Sequence, residues 1–580
     1  MKVNKYIISA LVCPFVLGSC ADWDDWNYDV EKPQTIAQYE YLNDYAPLKE
    51  YLDRGAHPGF KVSAALGADE FNQQGPLFRL AAHNFDEIVA GNAMKMASCV
   101  NDQGVMDFSK VSSFVRAAED AGLTVYGHTL AWHAQQPRKW LEKLIADKEL
   151  DVDPDQKTFT ELSRQTYQDG PFPFYQMGCA PDIINGSIHF VPTGGWSQFF
   201  CVAGAPLTPG NYAVDVEIKS TKSGNIKMTV QNGWGGDAES RDGTVALKEG
   251  WTTARFKMTL EQGGNYDFIL KPETFDATLD LKSVTIKKIV KMNSIPLTPQ
   301  EKSDTLTWAM NKWISGMMQA TEGKVKAWDL INEAVSGGPD KTKPYPLQTE
   351  ATSEHNPQDF YWQDYFTPEM YGPIVEKAAR DAYAAVEGTN PEDLKLFIND
   401  YNLESDWDEN NKVKSLVYWI DVWEKKGKEL GWNTKIDGIG SQMHISYYEN
   451  PEILESKKNA IQNMLKIMAE TGKLVRISEI DMGYVDKDGK DVTTAQLEKL
   501  PIEERVAKEK AMAEHYKWII EQYFKIVPVS QQYGICQWCL TDSPTDSGWR
   551  PGQPVGLWNL NYQRKPAYGG FADGLANKQQ

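Results

Sequence analysis

Cysteine is scarce in this chain, with 7 among 580 residues, and only Cys536 and Cys539 have CxxC spacing. A structural zinc site wants a second such pair, and none accompanies it. On a strand those two thiols would also point to opposite faces. Setting aside Cys13 and Cys20 near the N-terminus leaves Cys99, Cys179, Cys201, Cys536 and Cys539, an odd number. Cys179 and Cys201 either pair within one module or stand as buried free thiols. Basic residues are outnumbered: 60 Lys and Arg face 80 Asp and Glu, a formal net charge of −20. That balance argues against nucleic-acid binding, which concentrates positive charge. The Gly-rich phosphate turn of a doubly wound sheet is missing too, which leaves that fold as the lesser alternative. The apolar run Tyr6–Leu17 is too short to span a bilayer; with Lys2 and Lys5 before it and Gly18-Ser19-Cys20 after it, residues 1–19 read as a signal peptide.

What the chain does have is aromatic rings, 19 Trp and 26 Tyr among them, which suit sugar faces and protein cores alike. It also has eight apolar or β-branched runs: Phe60–Leu66, Glu87–Met94, Leu123–Leu130, Lys326–Ala334, Leu394–Asn402, Asp437–Ile445, Lys473–Met482 and Gly534–Leu540. Helical periodicity fills gaps between them, as in Phe108–Ala121, Lys302–Thr321, Glu369–Val386, Val413–Leu430, Asn459–Glu470 and Glu503–Phe524. Strand–helix alternation of this count predicts an α/β protein built on a (β/α)8 barrel, with part of Asp22–Lys61 as its first helix.

The count holds only if residues 151–291 are skipped. There Val214, Val216 and Ile218 alternate with Asp215, Glu217 and Lys219, and Ile226, Met228 and Val230 repeat the pattern, as do Leu279 and Leu281. Period two with regular turn residues predicts antiparallel strands in an all-β sandwich. The expected organisation is a barrel part over 20–150, an inserted sandwich over 151–291 in the loop after strand 3, and a second barrel part over 292–580. Catalytic-face loops tolerate such insertions. Trp196 and Trp234 lie in glycine-rich loops and either join the core or stack on a ligand; Trp251 opens a strand and reads as core.

Two barrel runs end in carboxylates. Lys326–Val335, KAWDLINEAV, places Asn332 and Glu333 where a strand runs out; Lys473–Met482, KLVRISEIDM, does the same with Glu479 and Asp481. Barrel enzymes carry their catalytic groups at strand C-termini. Two carboxylates on separate strand ends are what acid/base chemistry on a glycosidic bond requires.

Gly127–His133 (GHTLAWH), Trp328–Ala334 (WDLINEA), Asp437–His444 (DGIGSQMH) and Ile477–Asp481 (ISEID) together resemble glycoside hydrolase family 10, the retaining endo-β-1,4-xylanases. Leu396–Asn402 and Lys565–Tyr568 support the resemblance, which covers about residues 55–145 and 295–570. It implies Glu333 as general acid/base, with a raised pKa, and Glu479 as nucleophile. It implies that His444 and Asp481 orient the nucleophile and keep it ionised, and that Asn332 binds the sugar 2-OH. Asn92, Lys95, His128, Trp132, Gln135 and Gln442 match glycone-side contacts. Trp538 and Trp549 match the aromatic roof or simply pack at the barrel top, and His133 and His444 have the alternative of being satisfied core histidines. Asn399, Asp400 and Asn402 read mainly as scaffold. Gly91 departs from the family, which usually has Glu there for the sugar two units from the cut; its loss weakens that contact or makes room for a substituted sugar.

The implied substrate is xylan or arabinoxylan, with no metal and no cofactor, because two carboxylates supply acid, base and nucleophile. Another β-1,4-glycanase, a xylosyl transferase and an inactive surface glycan binder are the alternatives. The sandwich resembles carbohydrate-binding modules found with such enzymes. Leu17-Gly18-Ser19-Cys20 resembles a bacterial lipobox, which implies lipid on Cys20, and Asp22, Asp24 and Asp25 resemble the acidic export tag of Bacteroides-group surface lipoproteins. The expected location is then the outer membrane, facing the cell surface; the alternative is a plain secretory signal with a chance cysteine. The sequence does not specify an oligomeric state.

Overall fold

The computed structural model describes residues 32–149, 157–233, 238–291, 294–353, 356 and 359–577. They form two compact units, one of residues 145–301 and the other of the chain on either side. The signal segment and Cys20 lie outside the described residues, as does Trp234. No helix among those described is long and apolar enough to cross a membrane.

The larger unit is an eight-stranded parallel barrel. Its strands are β1 (Lys61–Leu66), β2 (Glu87–Ala90), β3 (Thr124–Tyr126), β4 (Ala327–Asn332), β5 (Lys395–Asp400), β6 (Gly438–Ser441), β7 (Leu474–Val485) and β8 (Gln532–Gln537). They run in the order β4-β5-β6-β7-β8-β1-β2-β3. Closure comes just beyond β3, where the Gly127 N–H donates to Ala327 O and Asp329 N–H donates to Gly127 O, both at 2.9 Å. Gly127 is required there: a Cβ would sit 2.0 Å from the Trp328 ring. β2 and β3 end short of their apolar runs: Asn92 and His128 beyond them line a cleft, while the Leu130 N–H still donates to Asp329 O of β4.

One expectation fails at the N-terminal side. Among the described residues, the stretch before β1 is not a barrel helix but a series of short turns, Gln34–Ala37, Glu40–Asp44 and Leu48–Glu50, with Leu42 and Leu48 buried. Ile502–Ile526 packs on the last helix, Pro566–Ala576, whose Gly570 lies directly on the Ala513 backbone.

The barrel interior combines Ala65, Val89, Tyr126, Ala327, Phe397 and Cys536 with a charge pair. Arg476 is fully buried, its Nη1 lies 2.7 Å from Glu87 Oε1, and its guanidinium lies 3.6 Å from the Tyr126 ring centroid. Tyr533 OH donates to the other Glu87 oxygen at 2.9 Å. A buried pair adds little net stability, but breaking it strands a charge.

The smaller unit is a two-sheet sandwich. One sheet orders Gly250–Leu260, Gly210–Ser220, Leu279–Lys291, Ser187–Phe190 and Asp182–Ile184, with Lys157–Thr166 also on Leu279–Lys291. The other orders Ser240–Leu247, Gly224–Gln231, Gly264–Lys271, Gln198–Leu207 and Gln176–Met177. Val214, Val216, Ile218, Ile226, Met228, Val230, Leu279 and Leu281 meet in the core between them. Lys148–Glu149 pairs antiparallel with Ser294–Ile295, so the unit ties its own ends together.

Trp251 is not core: it is 51% exposed. Ala254 and Phe256 point inward from the same strand, so alternation turns Trp251 outward beside its cross-strand partner Lys219. Cys179 and Cys201 are both buried and unpaired, and burial pushes their thiols up to about 11 and about 12.

The Arg476–Glu87 pair gives a stability test. Glu87→Ala is expected to lower unfolding free energy by about 3–5 kcal/mol, whereas Glu87→Gln with Arg476→Met should cost much less. Denaturant titration of both proteins distinguishes a stranded charge from simple loss of packing.

Candidate active site

β4 ends on Asn332, and Glu333 turns out of the strand in the left-handed region at φ 55°. Neighbouring elements hold that conformation. Glu333 N–H donates to Asn399 O at 2.8 Å, and Gln348 Nε2 donates to Glu333 O at 2.8 Å. Its carboxylate accepts from Trp132 Nε1 at 3.0 Å and from Gln442 Nε2 at 2.9 Å. Burial raises Glu333 above the usual carboxylate range; the Gln442 bond opposes this, and the charges of Asp400 and Glu479 add to the rise.

Glu479 sits within β7 and is buried. Asn399 Nδ2 donates to one oxygen at 2.8 Å, and His444 Nε2 lies 3.4 Å from the other. The far side of the His444 ring, Nδ1, lies 3.1 Å from Asp481 Oδ2. Burial disfavours the imidazolium, yet hydrogen bonds to Asp481 and Glu479 bring His444 up to about 10. Burial would also raise Glu479, but the His444 hydrogen bond and charge bring it below the ordinary value. Asp481 is fixed in turn by Arg550 Nη1 at 2.5 Å and Trp549 Nε1 at 2.8 Å. Its own burial is likewise outweighed by His444 and Arg550, and its pKa is lowered.

Asn332 links the two carboxylates. Its Oδ1 accepts from Asn399 Nδ2 at 2.9 Å and from Gln442 Nε2 at 3.3 Å. Two donors on one oxygen fix the amide orientation and leave Nδ2 as the group that can donate to a ligand. The surrounding cleft, about 900 Å³, is lined by Asn92, Lys95, His128, Trp132, Gln135, Asn332, Glu333, Gln442, His444, Glu479, Trp538 and Trp549, with Gly91 at one side. Asp481 stands behind His444 and does not line it. Lys95 donates to Asn92 Oδ1 at 3.1 Å and lies 4.8 Å from the Trp132 ring centroid. Trp549 is 43% exposed, and its indole N–H fixes Asp481, so it serves both packing and cleft wall.

His133 lies apart from this chemistry. It is buried, stacks on Tyr361 with ring centroids 5.0 Å apart, and burial with the Lys412 charge lowers it to about 4. Among the described residues, His128, Asp329 and Glu479 place donor atoms within 4.8 Å of one another in the manner of a cation site. Those atoms are engaged with protein: His128 Nδ1 and Tyr126 OH hold Asp329, at 2.8 and 2.6 Å, and Asn399 holds Glu479.

Sequence reading missed the groups behind the first layer. Asn399 is more than scaffold, since one amide holds both Asn332 and the Glu479 carboxylate. Asp400, the last residue of β5, is fully buried; it accepts from Val335 N and Tyr401 N at 2.9 Å each and lies 2.9 Å from Lys412 Nζ. Burial raises it and Lys412 opposes that rise. The rule that singled out Glu333, a carboxylate at a strand end, applies equally to Asp400. Nothing in the sequence marked Arg550.

The family model for glycosyl hydrolase family 10 matches residues 52–169 and 288–574, so the chain belongs to that family. Among curated relatives, endo-beta-1,4-xylanase Xyn10C of Cellvibrio japonicus is 28% identical over 270 residues, covering 44% of this chain and 38% of that protein. Endo-1,4-beta-xylanase D of Talaromyces funiculosus is 25% identical over 276 residues, covering 47% and 53%. The chain therefore spans about two fifths to one half of the length of these relatives. Among solved structures, xylanase B from Clostridium stercorarium F9 aligns with a TM-score of 0.50 at 17% identity over 91% of this chain and 100% of that one, a likeness of fold.

The two carboxylates should respond oppositely to their neighbours. Without the His444 charge, Glu479 binds its proton more tightly, so His444→Gln should move the acid limb of the kcat/KM profile to higher pH. Without the Asp400 charge, Glu333 loses its proton more easily, so Asp400→Asn should move the alkaline limb to lower pH. Adding Lys412→Met should return that limb towards its original position. A pH–rate series on the four proteins reads both limbs; movement of the wrong limb would contradict the assignment.

Proposed function

We propose that this chain is a retaining endo-1,4-β-xylanase that hydrolyses internal β-1,4-xylosidic bonds of xylan or arabinoxylan. The carrying observation is the opposite tuning of two carboxylates that share one amide network, Glu333 raised and Glu479 lowered. Environments that push paired carboxyl groups apart define an acid and a nucleophile. Family membership, the xylanase names of the relatives and the open cleft point the same way.

In the first step Glu479 attacks the anomeric carbon while Glu333 gives its proton to the departing glycosidic oxygen, and the C–O bond breaks. Trp132 Nε1 and Gln442 Nε2 already point at Glu333 and stabilise the carboxylate it becomes. Asn332 donates to the sugar 2-OH, a contact that tightens as charge develops. In the second step Glu333 takes a proton from water, the oxygen attacks the same carbon, and Glu479 leaves. Two inversions retain the β configuration, which requires carboxyl groups ~5–5.5 Å apart. Asn92, Lys95, His128, Trp132, Gln135 and Gln442 hold the glycone, with Trp538 and Trp549 above it.

The sandwich is read as a carbohydrate-binding module that tethers the enzyme to polymer and raises its local concentration. Support comes from Trp196, 60% exposed in its glycine-rich loop. Lipid attachment at Cys20 and residence at the surface of a bacterial outer membrane rest on the lipobox-like Leu17–Cys20 and the aspartates after it.

Reducing-sugar release from linear xylan, arabinoxylan and mixed-linkage β-glucan tests the activity. The xylans should be cut to oligosaccharides, Glu333→Ala should abolish this, and the first product seen by NMR should be the β anomer. A folded chain inert on both xylans, or an initial α product, would overturn the reading. A Cβ at Gly91 meets only Leu66 O, at 3.7 Å, so Gly91→Glu fits and should raise turnover of linear xylan. Expressed with its leader in a diderm bacterium, the chain should partition with membranes and take up labelled fatty acid; Cys20→Ser should lose both.

A further inference from the structure

One edge of the sandwich carries a row of open rings that the proposed module function does not by itself locate. Tyr175, 51% exposed, precedes the edge strand Gln176–Met177 of the five-stranded sheet. Phe199 is core and pairs with Gln176, so register turns Met177, opposite Gln198, to the outer face, and the Phe200 N–H donates to Tyr175 O just before it. There the Tyr175 ring meets the edge of Phe200 with centroids 5.4 Å apart, and its hydroxyl lies 3.7 Å from the Met177 sulfur. The next residue, Gly178, is in the left-handed region at φ 67°, and a Cβ on it would sit 2.6 Å from the Trp196 ring. Gly194 approaches the same ring: its Cβ would lie 3.1 Å from the indole nitrogen. Thr193 and Ser197 both donate to Gly178 O and pin the Trp196 turn to the edge strand.

Trp196 is thus laid against glycine backbone and still 60% exposed. That placement holds a large ring rigid at small entropic cost while leaving it accessible, the arrangement that stacking on a ligand requires. From Tyr175 to Gly178 the chain advances roughly 10 Å at strand rise, the reach of a short run of sugars. The polar side chains beside the rings on this edge and turn are Gln198 and Thr193, an amide and a hydroxyl; the ion pairs Lys227–Asp242 and Lys227–Glu273 of the same sheet belong to Gly224–Gln231, Ser240–Leu247 and the turn after Gly264–Lys271. Rings paired with neutral hydrogen-bonding groups complement a neutral pyranose chain. On the other sheet the exposed Trp251 lies under Lys282, 5.7 Å from the ring centroid, beside the ion pairs Lys282–Glu217 and Arg255–Asp215.

We infer that the row Tyr175–Met177–Trp196, flanked by Phe200, is a binding platform for an unsubstituted stretch of neutral β-linked pyranose polymer, the polymer cut by the barrel. This rests on the carbohydrate-binding reading of the sandwich.

The test uses the full chain made inactive by Glu333→Ala, with binding to linear xylan read by affinity electrophoresis and by depletion on insoluble polymer. Trp196→Ala and Tyr175→Ala should each weaken retention roughly fivefold or more. Trp196→Phe should keep most of it, and Trp251→Ala should leave it unchanged. Equal retention by all four proteins would overturn the platform, as would a loss confined to Trp251→Ala. Sedimentation run alongside separates another occupant: a fall in oligomeric state with Trp196→Ala would make the row a contact between copies and overturn the proposal. Circular dichroism of each variant confirms that the sheets are intact. Hydrolysis by the chain with Glu333 restored is assayed separately, so an inert barrel would sink the xylanase reading without deciding the platform.

Discussion

A protonated imidazole between two carboxylates organises this site. With His444 held by Asp481 on one nitrogen and facing Glu479 on the other, the charge that keeps Glu479 ionised is supplied inside the barrel and does not depend on solvent. Asp481 can do this only because Arg550 and Trp549 hold it, and the loop carrying both is therefore part of the chemistry. The sign matters for stability as well. His444 binds its proton more tightly folded than unfolded, where its pKa is about 6.5. Its stabilising contribution is complete below that value and is lost as pH rises through about 10. Over the range in which polysaccharide hydrolysis would run, the relay stays charged.

The second carboxylate is tuned by the opposite means. Glu333 receives neutral donors from Trp132 and Gln442, while Asp400 supplies negative charge from behind. Lys412 limits that influence by pairing with Asp400, so the rise that burial gives Glu333 is adjusted by a buried ion pair one layer removed. The same strand, β5, delivers Asn399 towards Glu479 and Asp400 towards Glu333. Adjacent residues on a strand point to opposite faces, and here each face serves one carboxylate.

Sequence reading went furthest where one residue type at one place has a single explanation. Carboxylates that end apolar runs, Glu333 and Glu479, stood out because two of them on separate strand ends suit acid/base chemistry, and eight apolar runs made the barrel readable. The cleft residues His128, Trp132, Gln135 and Gln442 came from motif likeness and do line one cavity. What escaped were groups defined by three-dimensional neighbours: Arg476 lies within an apolar run, and its partner Glu87, 389 positions away, meets it only inside the barrel. Trp251 illustrates the reverse error. Its place at the head of a strand read as core, but one step of strand register turns it outward.

The insertion shows why a barrel can carry so large an addition between β3 and β4. The strand pair Lys148–Glu149 with Ser294–Ile295 brings the ends of the module together within the module itself. Loop closure is then met by a two-residue ladder and not by the barrel, whose connection sees only a short gap. The crossover helix that a parallel barrel needs after its third strand is present, but it follows the module: Pro299–Ala320 resumes helical structure and leads into β4. That helix and strand deliver Asn332 and Glu333, and Trp132 with the backbone of Gly127 and Ala131, from the segment before the module, fixes them from the other side. The module keeps its own two-sheet core and its own closed neck.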